Sequence, residues 1–143
     1  MELPQILPSV DCVTRWGSTY MMICDILSTR PAFERLAESQ NMDVLDDDEI
    51  RTLKSLRCFL EPYYTLTKTV CSSTAPCSLM LAGGKLLLAK TEKTLSETRS
   101  RVKPFGEMLL AKTTKYFANC FLDETVRMAT LLDPRFCVPS KLF

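Results

Sequence analysis

The chain contains no histidine, which removes the commonest metal ligand and general acid–base group from any mechanism. It has seven cysteines, but the number is odd and no two form a Cys-x-x-Cys pair. Cys71 and Cys77, six residues apart, are too few ligands for a structural zinc site. The first residues do not have the pattern of a secretory signal, and none is expected. We therefore expect buried free thiols, with no disulfide, metal or other cofactor.

A strong excess of one charge is also missing, since 18 basic residues face 17 acidic ones. This balance predicts no general attraction to nucleic acid, so any contact with DNA must be local. No run approaches 18 apolar residues, so no membrane span is expected. With 46% hydrophobic and 24% charged residues over 143 positions, the chain is long enough to bury a real core.

Glycine is scarce, at four residues, and strand-like alternation is rare, whereas helical spacing of apolar residues is common. The pattern predicts a mostly α protein, a bundle of five or six helices. We place them at about 15–27, 31–39, from the acidic residues 43–49 to 70, 79–95, 104–119 and 123–132. Pro62 lies inside the third helix and predicts a kink near Cys58. On the fifth helix the expected apolar face is Phe105, Met108, Leu109, Tyr116, Phe117 and Cys120.

Three short segments have a structural and a functional interpretation. The acidic residues 43–49 suit a solvated helix N-terminus better than a partner-binding tag. Gly83-Gly84 should weaken its helix, and with Lys85 it lacks the spacing and preceding strand of a phosphate loop. Arg99, Arg101 and Lys103 form either a solvated turn or a contact to a DNA backbone.

The only tryptophan, Trp16, follows Arg15 in the segment Thr14-Arg15-Trp16-Gly17-Ser18-Thr19-Tyr20. An adjacent Arg and Trp are suited to holding a phosphate and stacking on an unpaired base. The alternative is that Trp16 anchors the first helix to the long one and that Arg15 is an ion-paired surface cation. Asp11 is interpreted as a helix-entry residue and not as a catalytic carboxylate.

Three blocks in order resemble hAT-family DNA transposases and the zinc-finger BED proteins domesticated from them. The first is residues 14–20, the second runs from Leu60-Glu61-Pro62-Tyr63 to Val70-Cys71, and the third is residues 129–136, Ala-Thr-Leu-Leu-Asp-Pro-Arg-Phe. The similarity covers roughly residues 10–137. Gly17 stands where the family usually has Asn, and Cys137 where it usually has Lys. In the third block, Asp133, Pro134 and Arg135 are interpreted, like Pro62, as structural: a helix stop with an Arg–carboxylate pair.

The resemblance implies that this chain is the helical insertion of an RNase H-like transposase core. Accordingly residues 1–10 would be an extended stub, 11–137 the insertion domain and 138–143 a C-terminal tail. The two Asp and one Glu that hold the family's catalytic metal would lie outside this chain, so no enzymatic activity is expected. The resemblance also implies a nuclear location. Because the family's main dimerisation segment would be missing too, it favours a monomer.

We therefore expect a truncated, non-catalytic, transposase-derived module that contacts unpaired or hairpin DNA locally. By resemblance, Thr14, Arg15, Trp16 and Ser18 are its DNA-binding residues. One alternative is an internal segment of a longer hAT transposase or nuclear DNA-binding regulator, whose whole product transfers DNA strands with metal. A decayed coding sequence is a third possibility. The protein partners are not predicted by the sequence.

Overall fold

A computed structural model describes residues 16–40, 43–72, 75–99 and 101–136. Within these ranges the chain forms five α-helices, one 3-10 turn and no strand, which confirms the mostly α prediction and fits a helical bundle. The helices are α1 (Trp16–Gln40), α2 (Asp47–Val70), α3 (Leu79–Glu97), α4 (Lys103–Leu122) and α5 (Glu124–Leu132), followed by the turn Pro134–Phe136. The chain divides into two compact units between Glu61 and Pro62, inside α2.

In the first unit, the prediction of two helices around Pro31 is wrong, because α1 continues through this proline. Proline removes one backbone donor, so the helix loses a single hydrogen bond there. Neighbouring side chains support the same turns: Thr29 donates its hydroxyl to the Asp25 carbonyl at 2.7 Å. Arg30 pairs with Glu34 across the proline. Arg30 also reaches Asp47, at 3.1 Å, and so ties α1 to the start of α2.

The start of α2 confirms the structural interpretation of the acidic stretch. Asp46 accepts a hydrogen bond from the Glu49 backbone N–H at 2.7 Å, and Glu49 accepts one from the Asp46 N–H at 2.9 Å. This reciprocal arrangement is a capping box. Asp47, Asp48 and Glu49 occupy the first turn, where the helix dipole favours negative charge. Farther along, Ile50 and Phe59 are buried, and Leu53, Leu56 and Leu60, which recur around them at helical spacing, are half-buried.

In the second unit, α3 packs against α4 and α5, and the two adjacent glycines permit close approach. A Cβ at Gly84 would lie 2.7 Å from Phe117 Cδ1 and 3.0 Å from Phe121 Cε1. A Cβ at Gly83 would meet the end of the Leu66 side chain at 2.6 Å. The sequence suggested only a weakened helix here, whereas α3 is continuous and the glycines make room for neighbouring side chains.

Two expectations about burial are wrong. On α4, Met108 and Tyr116 are exposed, although Phe117 beside them is buried. The reason is that the buried positions Gly106, Thr113 and Phe117 define a narrower stripe that includes small residues. The cysteines of the described residues are free as predicted, but none is buried. Cys58 precedes the buried Phe59 on α2, and Cys71 and Cys77 lie in the connection to α3, so all three are exposed.

Candidate functional site

The Arg-Trp segment leads into α1, and Trp16 is the first residue of this helix that the structure describes. Thr14, Arg15 and the side chain of Trp16 lie outside the described residues, while Ser18 is half-buried in the first turn. That turn contains no acidic residue, in contrast to the first turn of α2. The described part of the segment is therefore compatible with a nearby phosphate.

Tyr20 ends the segment and adds no negative charge to it. Burial, reinforced by a hydrogen bond with Cys24 and by the charge of Glu61, raises the pKa of Tyr20 to about 12. Its hydroxyl group consequently stays protonated at physiological pH. Ser18, Thr19 and Tyr20 thus give the beginning of the described part of α1 polar, uncharged side chains.

The basic turn lies between α3 and α4 in the second unit. Arg99, Arg101 and Lys103 are all exposed, which confirms a solvated turn. A contact of these cations with a DNA backbone stays a prediction.

The Asp133-Pro134-Arg135 segment forms the ion pair that the sequence predicted. Arg135 Nε lies 2.9 Å from Asp133 Oδ1, and Nη2 lies 2.6 Å from Oδ2. The same carboxylate accepts the Arg135 backbone N–H at 3.0 Å. Because α5 ends at Leu132 and the 3-10 turn begins at Pro134, this pair also marks the predicted helix stop.

A third partner, Ser78, was missed by the sequence analysis. This buried N-cap residue of α3 donates its hydroxyl to Asp133 Oδ2 at 2.5 Å, although they are 55 positions apart. The paired Arg135, and then Ser78, hold the pKa of Asp133 well below its usual range. The Asp133 side chain is only 9% exposed. We call this contact of Ser78, Asp133 and Arg135 the α3–α5 junction.

Thr130, about one helical turn before Asp133, adds a further contact between α5 and Ser78. Its hydroxyl donates to the Val126 carbonyl at 2.8 Å and lies 3.3 Å from the Ser78 carbonyl oxygen. Asp123 caps the other end of α5 by accepting the N–H groups of Thr125 and Val126, as the sequence predicted. The third sequence block therefore fixes α5 against the beginning of α3. Only the long-range contacts with Ser78 were not predicted, because this residue lies in a polar stretch without a recognisable motif.

The second sequence block contributes a hydroxyl cluster. The Tyr63 hydroxyl lies 3.1 Å from Thr91 Oγ1 on α3 and 2.8 Å from Thr113 Oγ1 on α4. Both threonines are buried, and each also lies 2.8 Å from the carbonyl oxygen four residues earlier. For both contacts of Tyr63 to be hydrogen bonds, Tyr63 donates to one threonine and accepts from the other. This cluster connects α2, α3 and α4 at one point of the second unit.

Pro62, next to this cluster, lies at a shallow cavity of 260 Å³ that Phe136 also lines. The second and third sequence blocks thus meet in the fold. The kink predicted near Cys58 stays a prediction, as does the role of Pro62 in it.

The described ranges contain no side-chain cluster suited to binding a metal. No group of three or more Cys, Asp and Glu side chains in them is placed to hold a metal ion. Their helices include none that is long and apolar enough to cross a membrane. Of the candidate contact residues, only Ser18, in the first described turn of α1, has a described side chain.

Comparisons with known proteins give one distant relative. Over 134 residues, or 90% of its length, the chain is 27% identical to the zinc finger BED domain-containing protein DAYSLEEPER of Arabidopsis thaliana. It spans only 18% of that relative. No protein family matches the chain, and no solved structure does. These findings support a weak relation to BED zinc finger domain-containing proteins and nothing more specific.

Proposed function

We propose that this chain is a non-catalytic helical module of a transposase-derived protein that uses Arg15 and Trp16 to contact unpaired DNA bases. The weak relation to a BED zinc finger protein suggests a DNA-binding or transposase-derived role. The module would act in the nucleus, as a monomer, beside whatever partners the rest of such a protein supplies. Its own helices position the contact and perform no chemistry.

The observation that carries the proposal is the absence of acidic residues from the first described turn of α1, directly after Arg15 and Trp16 in the chain. A planar aromatic side chain can stack on a base, while the guanidinium group of Arg15 attracts the adjacent phosphate. Neither the first described turn of α1, which has no acidic residue, nor the neutral Tyr20 adds a negative charge that opposes this attraction. The contact would be local, since the net charge of the whole chain is +1.

The scaffold role is supported by what lies inside the second unit. Asp133, a carboxylate within a motif of the family, already has Arg135 and Ser78 as partners. Thr91, Thr113 and Tyr63 are similarly committed to one another. These groups hold helices together and are not presented to a substrate. The module would therefore depend on another segment for any strand-transfer chemistry, in line with the catalytic carboxylates expected elsewhere.

The test uses the single tryptophan as its own probe. Trp16 fluorescence is measured during titration with a DNA hairpin that has an unpaired loop, and with a blunt duplex of the same composition. Stacking quenches indole emission, so we expect quenching by the hairpin and little by the duplex. With labelled hairpin DNA, Trp16→Ala should lose the roughly 1–3 kcal/mol of a base–aromatic stack.

Arg99→Ala is the matched control, because it removes an exposed cation in the basic turn without touching the stacking residue. It should weaken hairpin binding only slightly. Equal losses from Trp16→Ala and Arg99→Ala would mean that the contact is only electrostatic. Unchanged Trp16 emission, with the blue-shifted maximum of a buried indole, would identify Trp16 as a core anchor and end the proposal.

A second candidate is favoured by the 18% share of the relative that this chain spans. In that case the segment belongs to a longer transposase or nuclear DNA-binding regulator, and the whole product carries the catalytic core. Immunoblotting and intact mass of the native product distinguish the two. A species near 16.2 kDa supports the separate module, and a much larger species supports the longer protein.

A further inference from the structure

An apolar groove in the first unit is not used by the proposed DNA contact. It has a volume of 420 Å³ and lies between α1 and the chain that enters α2. Its apolar walls are Ile26, Phe33, Val44, Leu45 and Ile50. Phe33 is 49% exposed, Val44 44% and Leu45 40%, so these large side chains are left half in water. The volume falls within the ~300–1,000 Å³ of pockets that bind ligands.

The rim of this groove is acidic. Glu34, Asp43 and Glu49 line it, and Asp46 to Asp48 continue the negative charge along the chain. Arg30, the only basic residue in its lining, is paired with Glu34 and Asp47. Arg51, just beyond, is paired with Asp48. Acidic residues therefore outnumber basic ones around the apolar walls of the groove. This distribution of charge repels phosphate and attracts cations.

The half-exposed side chains indicate what kind of occupant fits. A small enclosed ligand would cover the floor but leave the outer faces of Phe33 and Leu45 in water. A peptide segment covers both, because its apolar side chains enter the groove while its flanking residues reach the rim. The cations of those flanking residues would lie over Asp43 and Glu49, where complementary charge favours rapid association.

We propose that this groove binds a segment of a partner protein in which bulky apolar residues are flanked by lysine or arginine. The apolar side chains fill the space between Phe33, Leu45 and Ile50, and the basic residues face the acidic rim. This interaction is separate from the contact at Arg15 and Trp16, whose chemistry requires the opposite charge. The module would thus have a protein-binding and a DNA-binding surface.

The experiment uses fluorescence anisotropy with the full chain and labelled synthetic peptides of about twelve residues, long enough for a short amphipathic helix. Each peptide carries two apolar anchors at helical spacing, drawn from Leu, Ile, Met and Phe, and is flanked by lysines. Its counterpart has glutamates in place of the lysines. We expect at least one lysine peptide to bind about tenfold more tightly than its glutamate counterpart, with the difference reduced by salt.

Two variants locate the binding. Leu45→Ser removes an apolar side chain from the wall of the groove, and Asp43→Asn removes a negative charge from its rim. Both positions lie before α2 and are exposed. Each variant should bind the lysine peptide roughly three- to tenfold more weakly than the wild type does. Its helix content, measured by circular dichroism, should be unchanged. Leu132→Ser, at an exposed position of the second unit, and Glu124→Gln are the matched controls and should change nothing.

Several results would overturn this proposal. Equal affinity for the lysine and glutamate peptides would remove the charge argument, and loss of binding in the Leu132→Ser control would place the site elsewhere. Failure of every peptide to bind would exclude a groove for this class of partner. Self-association that disappears in Leu45→Ser would show that the groove is occupied by a second copy instead.

Discussion

At the scale of single residues, the carboxylate of Asp133 lies in a turn at the surface but connects two helices. It accepts hydrogen bonds from Arg135 and from the buried Ser78, so one side chain connects the end of α5 with the beginning of α3. A negative charge there also suits the positive end of the α3 dipole. These hydrogen bonds give the sequence block that contains Asp133 a structural role.

This arrangement predicts a pH-dependent loss of stability. Because the folded-state pKa of Asp133 is lowered, its contribution is present above the ordinary aspartate pKa of about 3.9 and is lost as the pH falls through the folded-state value. Asp133→Asn should destabilise the protein at pH 7, and the difference from the wild type should shrink below about pH 4. Urea unfolding at a series of pH values measures it.

Arg135→Lys tests the geometry of the same pair, since lysine keeps the charge but cannot match the two oxygens of the carboxylate. At pH 7, the free energy of unfolding of Arg135→Lys should lie between that of the wild type and that of Asp133→Asn. A difference between Asp133→Asn and the wild type that is constant from pH 7 to pH 3 would contradict the role assigned to the ionised carboxylate.

Tyr63 offers a second prediction at this scale. Tyr63→Phe removes a hydroxyl that bonds to Thr91 and Thr113, but both threonines retain a backbone carbonyl as acceptor. No buried hydroxyl donor is then left without an acceptor, so the cost should be about 1 kcal/mol. Tyr116→Phe, at a position 74% exposed, should change the free energy of unfolding very little. A much larger loss for Tyr63→Phe would mean that the cluster acts as a cooperative network.

At the scale of helices, the two glycines of α3 differ in what surrounds them. Gly84→Ala would push a methyl group against the Phe117 and Phe121 rings, which are stacked 5.6 Å apart and have little freedom to move. Gly83→Ala meets only the flexible end of Leu66. We expect Gly84→Ala to cost about 1–3 kcal/mol, whereas the gain of up to about 1 kcal/mol in helix propensity offsets the cost of Gly83→Ala.

Urea unfolding of the two variants is the measurement, and each serves as the control for the other. Equal destabilisation would mean that Leu66 is held as firmly as the rings. Stabilisation by both would mean that the glycines only weaken the helix, as the sequence alone suggested.

The ends of these helices also show how much of the fold can be predicted from the local sequence pattern. The cap of α5 at Asp123, the acidic start of α2 and the stop before Pro134 were predicted, because each depends on residues a few positions apart. The continuity of α1 through Pro31 was not predicted, because a proline by itself favours a helix boundary. Ser78, Thr91 and Thr113 were missed because their partners are 28 to 55 positions away.

At the scale of the whole molecule, the two units differ in the surfaces they offer. The first carries the Arg-Trp segment at the start of α1 and the acid-rimmed groove farther along it. The second is organised around committed polar contacts, the α3–α5 junction and the Tyr63 cluster. The exposed apolar residues on α4 and α5, which include Tyr116 and Leu132, have no partner among these contacts. In both of our proposals recognition therefore belongs to the first unit, and the second unit serves as scaffold.

The near-neutral charge of the whole chain leads to the last prediction, the salt dependence of hairpin binding. Each neutralised phosphate contributes a slope of roughly −0.7 for single strands in log affinity against log salt. If Arg15 supplies the main phosphate contact and Trp16 the stacking, the slope should be about −1, and Arg15→Gln should bring it close to zero. Fluorescence titrations from low to high salt measure it, with Arg101→Gln as the control that leaves it unchanged. A slope of about −5 or steeper would require a broad basic surface, which a chain with 18 basic and 17 acidic residues presents only if its charges are strongly segregated.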